Sequence, residues 1–211
     1  MKKKHTISMS VIRRLPRYYR YLGDLKSRGL LRISSRELSE KMGVTASQIR
    51  QDLNHFGEFG QQGYGYNVAL LYDEICKILG INKKHKTILI GAGNLGKAIA
   101  NHMDFINWGY DLIGIFDNRE EVIGKNIIGL EIKSSKDIPK FCKEFKPEAA
   151  VLCIPKQSVQ SMVRELINFG IKGFWNFSAA DIQLENDSNV VIENVHLGDS
   201  LAILCYRLKN L

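Results

Sequence analysis

The sequence predicts an α/β protein in which a basic, helical first part precedes a parallel β-sheet. Residues 1–60 carry 13 Lys+Arg and 5 Asp+Glu, whereas residues 85–211 carry 14 and 15. Apolar residues recur at helical spacing before about residue 85, and after it short β-rich runs alternate with helical stretches. A glycine-rich turn between a strand and a helix opens this second part. Positive charge concentrated at one end favours a polyanionic partner, either nucleic acid or an anionic membrane.

Composition and cysteine spacing exclude several classes of protein. The 211 residues are 45% apolar and 25% charged, which is typical of globular proteins and excludes disordered and collagen-like chains. The 4 cysteines, at positions 76, 142, 153 and 205, form no CxxC pair, so we expect no metal site and no redox dithiol. Scattered cysteines of this kind are typical of reduced core residues. Without an apolar run suited to a signal peptide or a membrane span, we expect a cytoplasmic protein.

Two longer helices are predicted in the first 84 residues. Val11–Arg28 has apolar residues at three- and four-residue steps, with Pro16 marking either a kink or the helix start and Gly29 the end. Tyr66–Leu79 has the pattern of a connecting helix that ends at Gly80. A run of lysines follows, and we place the domain boundary after residue 84.

Two short helices are predicted between the longer ones. Ser34–Glu37 is a capping box that opens a helix running to about Met42, and Gly43 interrupts it. Thr45–Gln48 is a second capping box, and its helix runs through about Phe56. Two helices joined by a tight turn form a helix-turn-helix pattern, for which any ordinary helical hairpin is the alternative.

Residues 57–66 alternate four glycines with aromatic and polar residues, which predicts a hairpin beside the helix pair. Together they predict a winged-helix domain over residues 1–84, with the second helix of the pair in the major groove. The candidates for base edges or phosphates on that helix are Ser47, Gln48, Arg50 and Gln51. The candidates for phosphate contacts on the first long helix are Arg13, Arg14 and Arg17.

The second part opens with a dinucleotide-binding pattern. An apolar β-rich run, Thr87–Ile90, leads into the GxGxxG turn, a helical stretch Lys97–Ile106 follows, and a second run ends in Asp117. The predicted cofactor-binding residues are Gly91, Ala92, Gly93, Asn94, Leu95, Gly96 and Asp117. Backbone N–H groups at the helix start favour a pyrophosphate, and Asp117 would accept the ribose hydroxyls and favour NAD(H). Arg119 keeps NADP(H) open as the alternative.

The α/β alternation continues, which predicts a Rossmann-type parallel sheet over residues 85–195. The predicted helices are Ser134–Phe145 and Val159–Phe169, and the predicted strands are a short one near Ile132, Ala149–Ile154, Gly173–Phe177 and Val190–Asn194. A last helix, Leu197–Leu208 within residues 196–211, carries leucines on one face. That face packs either against its own sheet or against a partner subunit.

We expect no second, catalytic domain beside the predicted cofactor domain, and we therefore predict that the chain is not an enzyme. The candidate histidines are His102 and His196; neither has a carboxylate directly beside it in sequence, and Asp199 lies three residues after His196. We therefore predict no catalytic residues. A DNA-binding head on a cofactor-binding body is the architecture of a sensor, and a small NAD-dependent oxidoreductase with a basic helical appendage is the alternative.

Several stretches resemble the Rex family of redox-sensing transcriptional repressors, over nearly the whole chain. They are residues 14–20, 34–38, 49–53, 57–60, 63–68, 91–96, 170–173 and 176–177. The resemblance implies a homodimer on a palindromic operator, with the last helix swapped into the partner. It also implies that NADH binds more tightly than NAD⁺ and releases the double-stranded DNA, by differential affinity for two arrangements of the dimer.

The chain departs from that family in two places. At the wing tip, where family members commonly carry basic residues, Gln61 and Gln62 are the candidates for DNA contacts. The family's Arg–Tyr–Asp relay links head, body and swapped helix; Arg20 matches its Arg, whereas His102 and His196 stand where Tyr and Asp are expected. We predict a weakened or pH-sensitive switch at these three residues, because imidazole titrates near neutral pH.

Overall fold

The computed structural model describes residues 7–54, 60–61, 64–184 and 189–211. It divides into two compact units, Met1–Asn82 and Lys83–Leu211. The division falls two residues before the predicted boundary. Gln62, the end of the helix expected to reach Phe56, and residues 57–59 of the predicted hairpin lie outside the described residues.

The first predicted helix is two helices, α1 (Met9–Ile12) and α2 (Leu15–Ser27). Pro16 lies in the first turn of α2, where a missing backbone N–H removes no intrahelical bond, so this proline marks a helix start. Gly29 follows α2 with φ +75°, a conformation that favours glycine. The buried face of α2 consists of Leu15, Tyr18, Leu22 and Leu25.

The helix-turn-helix is formed by α3 (Ser35–Met42) and α4 (Ala46–Asn54). The first capping box is confirmed: the Ser34 hydroxyl accepts from the Glu37 N–H at 3.1 Å, and the Glu37 carboxylate accepts from the Ser34 N–H at 2.8 Å. Gly43 ends α3 with φ +64°. At the second box the Thr45 hydroxyl accepts from the Gln48 N–H at 3.1 Å, but the Gln48 side chain donates to a carboxylate elsewhere.

A small antiparallel sheet completes the first unit. Its strands are β1 (Arg32–Ile33), β2 (Gly60–Gln61) and β3 (Gly65–Asn67), in the order β1-β3-β2. The pairing of β2 with β3 forms the predicted hairpin. The connecting helix α5 (Val68–Leu79) starts two residues later than expected because Tyr66 and Asn67 belong to β3, and the Asn67 side chain caps α5.

The second unit is built on a seven-stranded sheet in the order β10-β9-β8-β4-β5-β7-β6. Its strands are β4 (His85–Ile90), β5 (Tyr110–Asp117), β6 (Asn126–Ile127), β7 (Leu130–Ser134), β8 (Ala149–Leu152), β9 (Gly173–Asn176) and β10 (Val191–Asn194). All neighbours are parallel except β6, an edge strand that pairs antiparallel with β7 and that the sequence did not predict. Ile88 and Ile90 pack on one face and Leu89 on the other, so both faces are buried.

The helices of this unit are α6 (Asn94–His102), α7 (Ile138–Phe145), α8 (Lys156–Asn168) and α9 (Leu197–Lys209). Short 3₁₀ turns cover Ile106–Trp108 and Ser135–Asp137. The predicted boundaries of α6, 97 to 106, are wrong at both ends. The helix begins directly after the glycine turn and stops at an extended Met103, and Asp104 caps a separate turn by accepting from the Asn107 N–H at 3.2 Å.

The last helix, α9, has no buried residue in this chain. Its leucines are exposed: Leu197 by 60%, Leu201 by 63%, Leu204 by 51% and Leu208 by 58%. The interpretation in which this face packs against its own sheet is therefore wrong. Cys205 on this helix is also exposed, whereas Cys142 is buried, so the expectation of core cysteines fails at position 205. Within the described ranges, no helix is both long and apolar enough to cross a membrane.

Candidate functional site

The outer face of α4 carries the side chains available to a duplex. Ser47, Arg50, Gln51 and Asn54 are exposed and recur at three- and four-residue steps, whereas Ile49 and Leu53 on the other face are buried. The sequence prediction missed Asn54, although the same helical spacing would have found it. Among these side chains Arg50 donates to the Ser35 hydroxyl at 3.1 Å, which ties α4 to the start of α3.

A buried carboxylate, Asp52, joins α2 to α4. It is 0% exposed, and the Nε and Nη2 atoms of Arg14 donate to its two oxygens, each at 2.7 Å. Tyr18 Oη donates to it at 3.1 Å and Gln48 Nε2 at 2.8 Å. Burial alone raises the pKa of Asp52, but the bonds from these three side chains outweigh it and lower the pKa below its ordinary value.

This network changes two sequence-based expectations. Arg14 was expected to hold a phosphate, yet its guanidinium points at Asp52 and makes a two-bond ion pair. Gln48 was expected to be an exposed reader of bases, yet it is half-buried and holds the same carboxylate. Both side chains are drawn inward because a buried carboxylate needs donors, and no pattern in the sequence indicates that Asp52 is buried.

The other predicted cations of α1 and α2 are exposed. Arg13 and Arg17 lie on the surface, and Arg17 Nη2 donates to the Met42 carbonyl at 2.8 Å, which fixes the end of α3 against α2. Arg20, one turn further along α2, is exposed as well. The first unit thus exposes arginines on α2 and α4, and Arg13 between α1 and α2.

The glycine turn between β4 and α6 has the geometry predicted for a phosphate cradle. Gly91 adopts φ +99°, and a Cβ there would lie 2.4 Å from the Cys153 carbonyl oxygen. A Cβ at Gly96 would lie 1.9 Å from the Gly91 carbonyl oxygen, so only glycine lets the helix close on the strand. At Gly93 a Cβ would meet just one atom within 4 Å, Nη2 of Arg119. The backbone is open on this side, as the predicted contact with a pyrophosphate requires.

The acid at the end of β5, Asp117, faces inward. It is 4% exposed, and its carboxylate accepts from the Ala92 N–H at 2.7 Å and from the Arg119 N–H at 2.9 Å. The Nε and Nη2 atoms of Arg119 also donate to it, at 3.0 and 2.9 Å. Burial raises the pKa of Asp117, but these bonds prevail and lower the pKa to about 2. Asp117 therefore holds the glycine turn and Arg119, and contact with a ribose stays a prediction.

The remaining residues of the turn divide by exposure. Ala92 is buried, whereas Asn94 and Leu95 are exposed at the start of α6. The backbone N–H groups of this first helical turn lack intrahelical partners, and the helix dipole adds partial positive charge. The nine-residue α6 therefore offers donors to an anion beside the open side of Gly93.

The three predicted switch residues lie in different parts of the fold. Arg20 belongs to the first unit, and His102, the last residue of α6, is exposed in the second. His196 Nε2 lies 2.9 Å from the Asp181 carboxylate. The sequence prediction considered only Asp199 as the acid near His196; Asp181 is 15 residues away in sequence, and the fold brings it there. Among the described residues, no group of three potential metal ligands was found.

Comparison with known proteins gives one consistent family. Residues 6–54 match a family model described as "Putative DNA-binding protein N-terminus", and residues 82–180 match a "CoA binding domain" model. The redox-sensing transcriptional repressor Rex of Thermoanaerobacter sp. (strain X514) is 54% identical over 209 residues, covering 99% of this chain and 92% of that protein. The chain belongs to the Rex family. The resemblance seen in the sequence is thereby confirmed.

Two solved structures of the Rex-family repressor RSP are similar along almost the whole length. RSP in complex with β-NAD⁺ and operator DNA has a TM-score of 0.89 and 52% identity, covering 98% of this chain and 94% of that one. RSP in complex with β-NADH has a TM-score of 0.87 and 49% identity, covering 98% and 96%. The predicted fold class, an N-terminal DNA-binding domain with a mostly parallel Rossmann-like sheet, is confirmed.

Proposed function

We propose that this chain is a transcriptional repressor that binds operator DNA and senses the cellular NADH/NAD⁺ ratio, with NADH releasing it from the duplex. The observation that carries the proposal is the presence, in one chain of the Rex family, of a helix-turn-helix unit and of a glycine turn that closes only with glycine at position 96. A helix-turn-helix or a glycine turn alone occurs in proteins of many functions. Together in one chain they allow the binding of a dinucleotide to control the binding of DNA.

At the first unit, the exposed face of α4 enters the major groove. Gln51 and Arg50 are suited to base edges or phosphates, while Arg13 and Arg17 are suited to phosphates. The sequence predicts Gln61 and Gln62 for the wing tip, and because neither residue is charged, we expect the wing to contribute little to the salt dependence of binding. Arg14 and Gln48 act indirectly, by fixing Asp52 and with it the angle between α2 and α4.

At the second unit, the glycine turn holds the pyrophosphate of the dinucleotide. The open side of Gly93 admits the phosphates, and the N–H groups at the start of α6, around Asn94 and Leu95, donate to them. The reduced or oxidised nicotinamide supplies the redox signal when it is bound. The chain's own part is to bind NADH and NAD⁺ with different affinity in two arrangements, since only differential affinity shifts an equilibrium.

The exposed apolar face of α9 supports a homodimer. Four leucines of one helix are more than half exposed, and a helix with an apolar stripe requires a covering surface. We infer that a second copy of the chain covers this stripe, so that residues 196–211 form the dimerisation helix and the operator is palindromic. Light scattering tests this: the wild type should be a dimer, and Leu201→Glu with Leu204→Glu should shift it toward monomer. A wild-type monomer would contradict the inference.

The decisive experiment is a gel shift with the upstream region of the chain's own gene as the duplex. We expect a specific shift that NADH abolishes and NAD⁺ does not. The Gly93→Ala variant, whose Cβ blocks the pyrophosphate, should stay bound in NADH. Arg164→Gln on α8 is the control, since it removes an exposed charge from the same unit and should respond like the wild type. Binding that NADH leaves unchanged would overturn the proposal.

We propose no catalytic turnover and a cytoplasmic location, where the operator lies. The oxidoreductase alternative predicts that the chain oxidises NADH in the presence of a small carbonyl substrate. The decrease in the near-ultraviolet absorbance of NADH measures this directly. Steady oxidation of NADH over many turnovers would favour that alternative.

We also propose that the switch at Arg20, His102 and His196 differs from the family's relay. His196 Nε2 lies 2.9 Å from the Asp181 carboxylate. Histidine is the side chain most suited to a change of charge around neutral pH, so the response to NADH should differ between pH 6 and pH 8 in the gel shift. A strong and equal release at both values would sink this part of the proposal and leave the repressor function intact.

A further inference from the structure

Arg119 has no role in the proposed function, although it lies next to the glycine turn. It lies two residues beyond Asp117, at the carboxyl end of β5, and its side chain is 45% exposed. Its Nη2 atom is 2.9 Å from the Asp117 carboxylate and 3.8 Å from the Cβ position of Gly93. The guanidinium therefore reaches from the acid of the second strand to the open side of the phosphate-binding turn.

The acid that ordinarily selects against a 2′-phosphate is not available to do so. A carboxylate at this place favours NAD(H) when its oxygens face the ribose hydroxyls. Both oxygens of Asp117 instead accept from Arg119 and from backbone N–H groups, and the residue is 4% exposed. A ligand that approaches the end of β5 therefore meets the guanidinium before the carboxylate.

The guanidinium retains donors for an anion. Arginine carries five N–H donors, and the bonds from Nε and Nη2 to Asp117 use two of them. Besides Asp117, the carboxylate placed against Arg119 is Glu121, at 3.9 Å from Nη1 and 67% exposed. An exposed pair at that distance is weak, because water and salt screen it, so a phosphate dianion can displace Glu121. Arginine binds phosphate through paired, charge-assisted hydrogen bonds.

We propose that Arg119 determines coenzyme specificity and lets the site accept a 2′-phosphorylated adenosine, so that this chain binds NADP(H) as well as NAD(H). The proposal rests on the proposed function, because it assigns the adenosine end of the same dinucleotide site. An arginine near the end of the second strand is how Rossmann-type sites accommodate the 2′-phosphate. The chain then responds to both pools of reduced nicotinamide.

The test compares NADH with NADPH on the full chain, by the fluorescence of the bound nicotinamide. Calorimetry with adenosine 2′,5′-bisphosphate and with 5′-AMP isolates the adenosine end. We expect the wild type to bind NADPH within about tenfold of NADH. Arg119→Gln should weaken NADPH by about tenfold or more, the usual worth of a hydrogen bond to a charged group, and NADH by less than about threefold. Arg119→Lys should fall between, since it keeps the charge and loses the fork.

Two further variants sharpen the result. Arg164→Gln, an exposed cation on α8, controls for net charge and should leave both affinities unchanged. Glu121→Gln removes the competing carboxylate and should tighten NADPH without affecting NADH. Retained NADH binding by Arg119→Gln also shows that the variant is folded.

The outcomes separate the two proposals. If the wild type binds NADH but binds NADPH about a hundredfold more weakly, and Arg119→Gln leaves that ratio unchanged, the specificity proposal is overturned and the proposed function stands. Equal weakening of both coenzymes by Arg119→Gln also overturns it, because Arg119 would then hold a phosphate common to both. If the wild type binds neither coenzyme, the proposed function itself fails.

Discussion

The two units of this protein each contain a buried aspartate paired with an arginine, but the partners are arranged differently. Asp52 is held by side chains that lie 38, 34 and 4 residues away in sequence. Asp117 is held mainly by Arg119, two residues away, with one distant bond from the Ala92 N–H. The first arrangement joins two helices through a carboxylate with no exposed surface, and the Arg14 side chain is only 27% exposed, so it is structural. The second is local and partly exposed, so a ligand can use it.

The largest effect should come from removing the structural carboxylate. Asp52→Ala leaves the Arg14 guanidinium and the Tyr18 hydroxyl without their acceptor, and we expect a loss of about 3–5 kcal/mol in the free energy of unfolding. Urea denaturation followed by far-UV circular dichroism measures it. Hydrogen exchange should show the loss in α2 and α4. A loss under about 1 kcal/mol would mean that Asp52 contributes no more than an exposed ion pair and is not a structural residue.

Asp117→Asn should cost less, and its cost should depend on pH. The pKa of Asp117 is about 2 in the folded chain against an ordinary 3.8, so folding favours the ionised form. That contribution, about 2 kcal/mol, is fully present above about pH 5 and is lost as the pH falls through 4 towards 2. The stability difference between wild type and variant should therefore shrink over this range. Both tryptophans lie in the second unit, so their fluorescence reports on it. If the stability difference between wild type and Asp117→Asn stays constant from about pH 5 to pH 2, the lowered pKa of Asp117 is wrong.

A smaller effect is expected at the cap of α3, where the Ser34 hydroxyl is paired with the exposed residue Glu37. Ser34→Ala removes the hydroxyl that accepts from the Glu37 N–H, and such a cap is worth about 1 kcal/mol. Urea denaturation of Ser34→Ala measures the loss. Ser34→Thr keeps the hydroxyl and should recover most of it. If Ser34→Thr is as unstable as Ser34→Ala, the cap is not the cause.

The smallest effect should come from a carboxylate that is well exposed to solvent. Glu40 lies 3.4 Å from Arg36 on the surface of α3, and both side chains are more than half exposed. Glu40→Ala should change the free energy of unfolding by no more than about 0.5 kcal/mol, and 0.5 M salt should remove even that. Thermal denaturation at two salt concentrations is sufficient. If Glu40→Ala costs as much stability as Asp117→Asn, burial does not explain why some carboxylates contribute more than others.

Local patterns in the sequence predicted the elements well where the determinant is itself local. The capping box at Ser34, the turn at Gly43 and the three glycines from 91 to 96 each depend on residues a few positions apart. The boundaries of α6 and the edge strand β6 were missed, because an extended Met103 and a two-residue pairing leave little trace in an apolar pattern.

The candidate sites were predicted less well, because the partner of a polar side chain is set by packing. Arg14 and Gln48 resemble surface residues in sequence, and only the burial of Asp52 turns them inward. Likewise the sequence marks Asp117 and Arg119 as rival determinants of coenzyme choice, while the structure pairs them with each other.

The sequence by itself determined the family, the order of the elements and the glycine turn, since close approach of backbone atoms tolerates no side chain at Gly96. Only the tertiary structure decided which charges are paired. A carboxylate removed from water must find donors among the groups that the fold brings near, as Asp52 does across 38 residues of sequence. No local pattern encodes that choice, because it depends on the packing of helices and strands far apart in the chain.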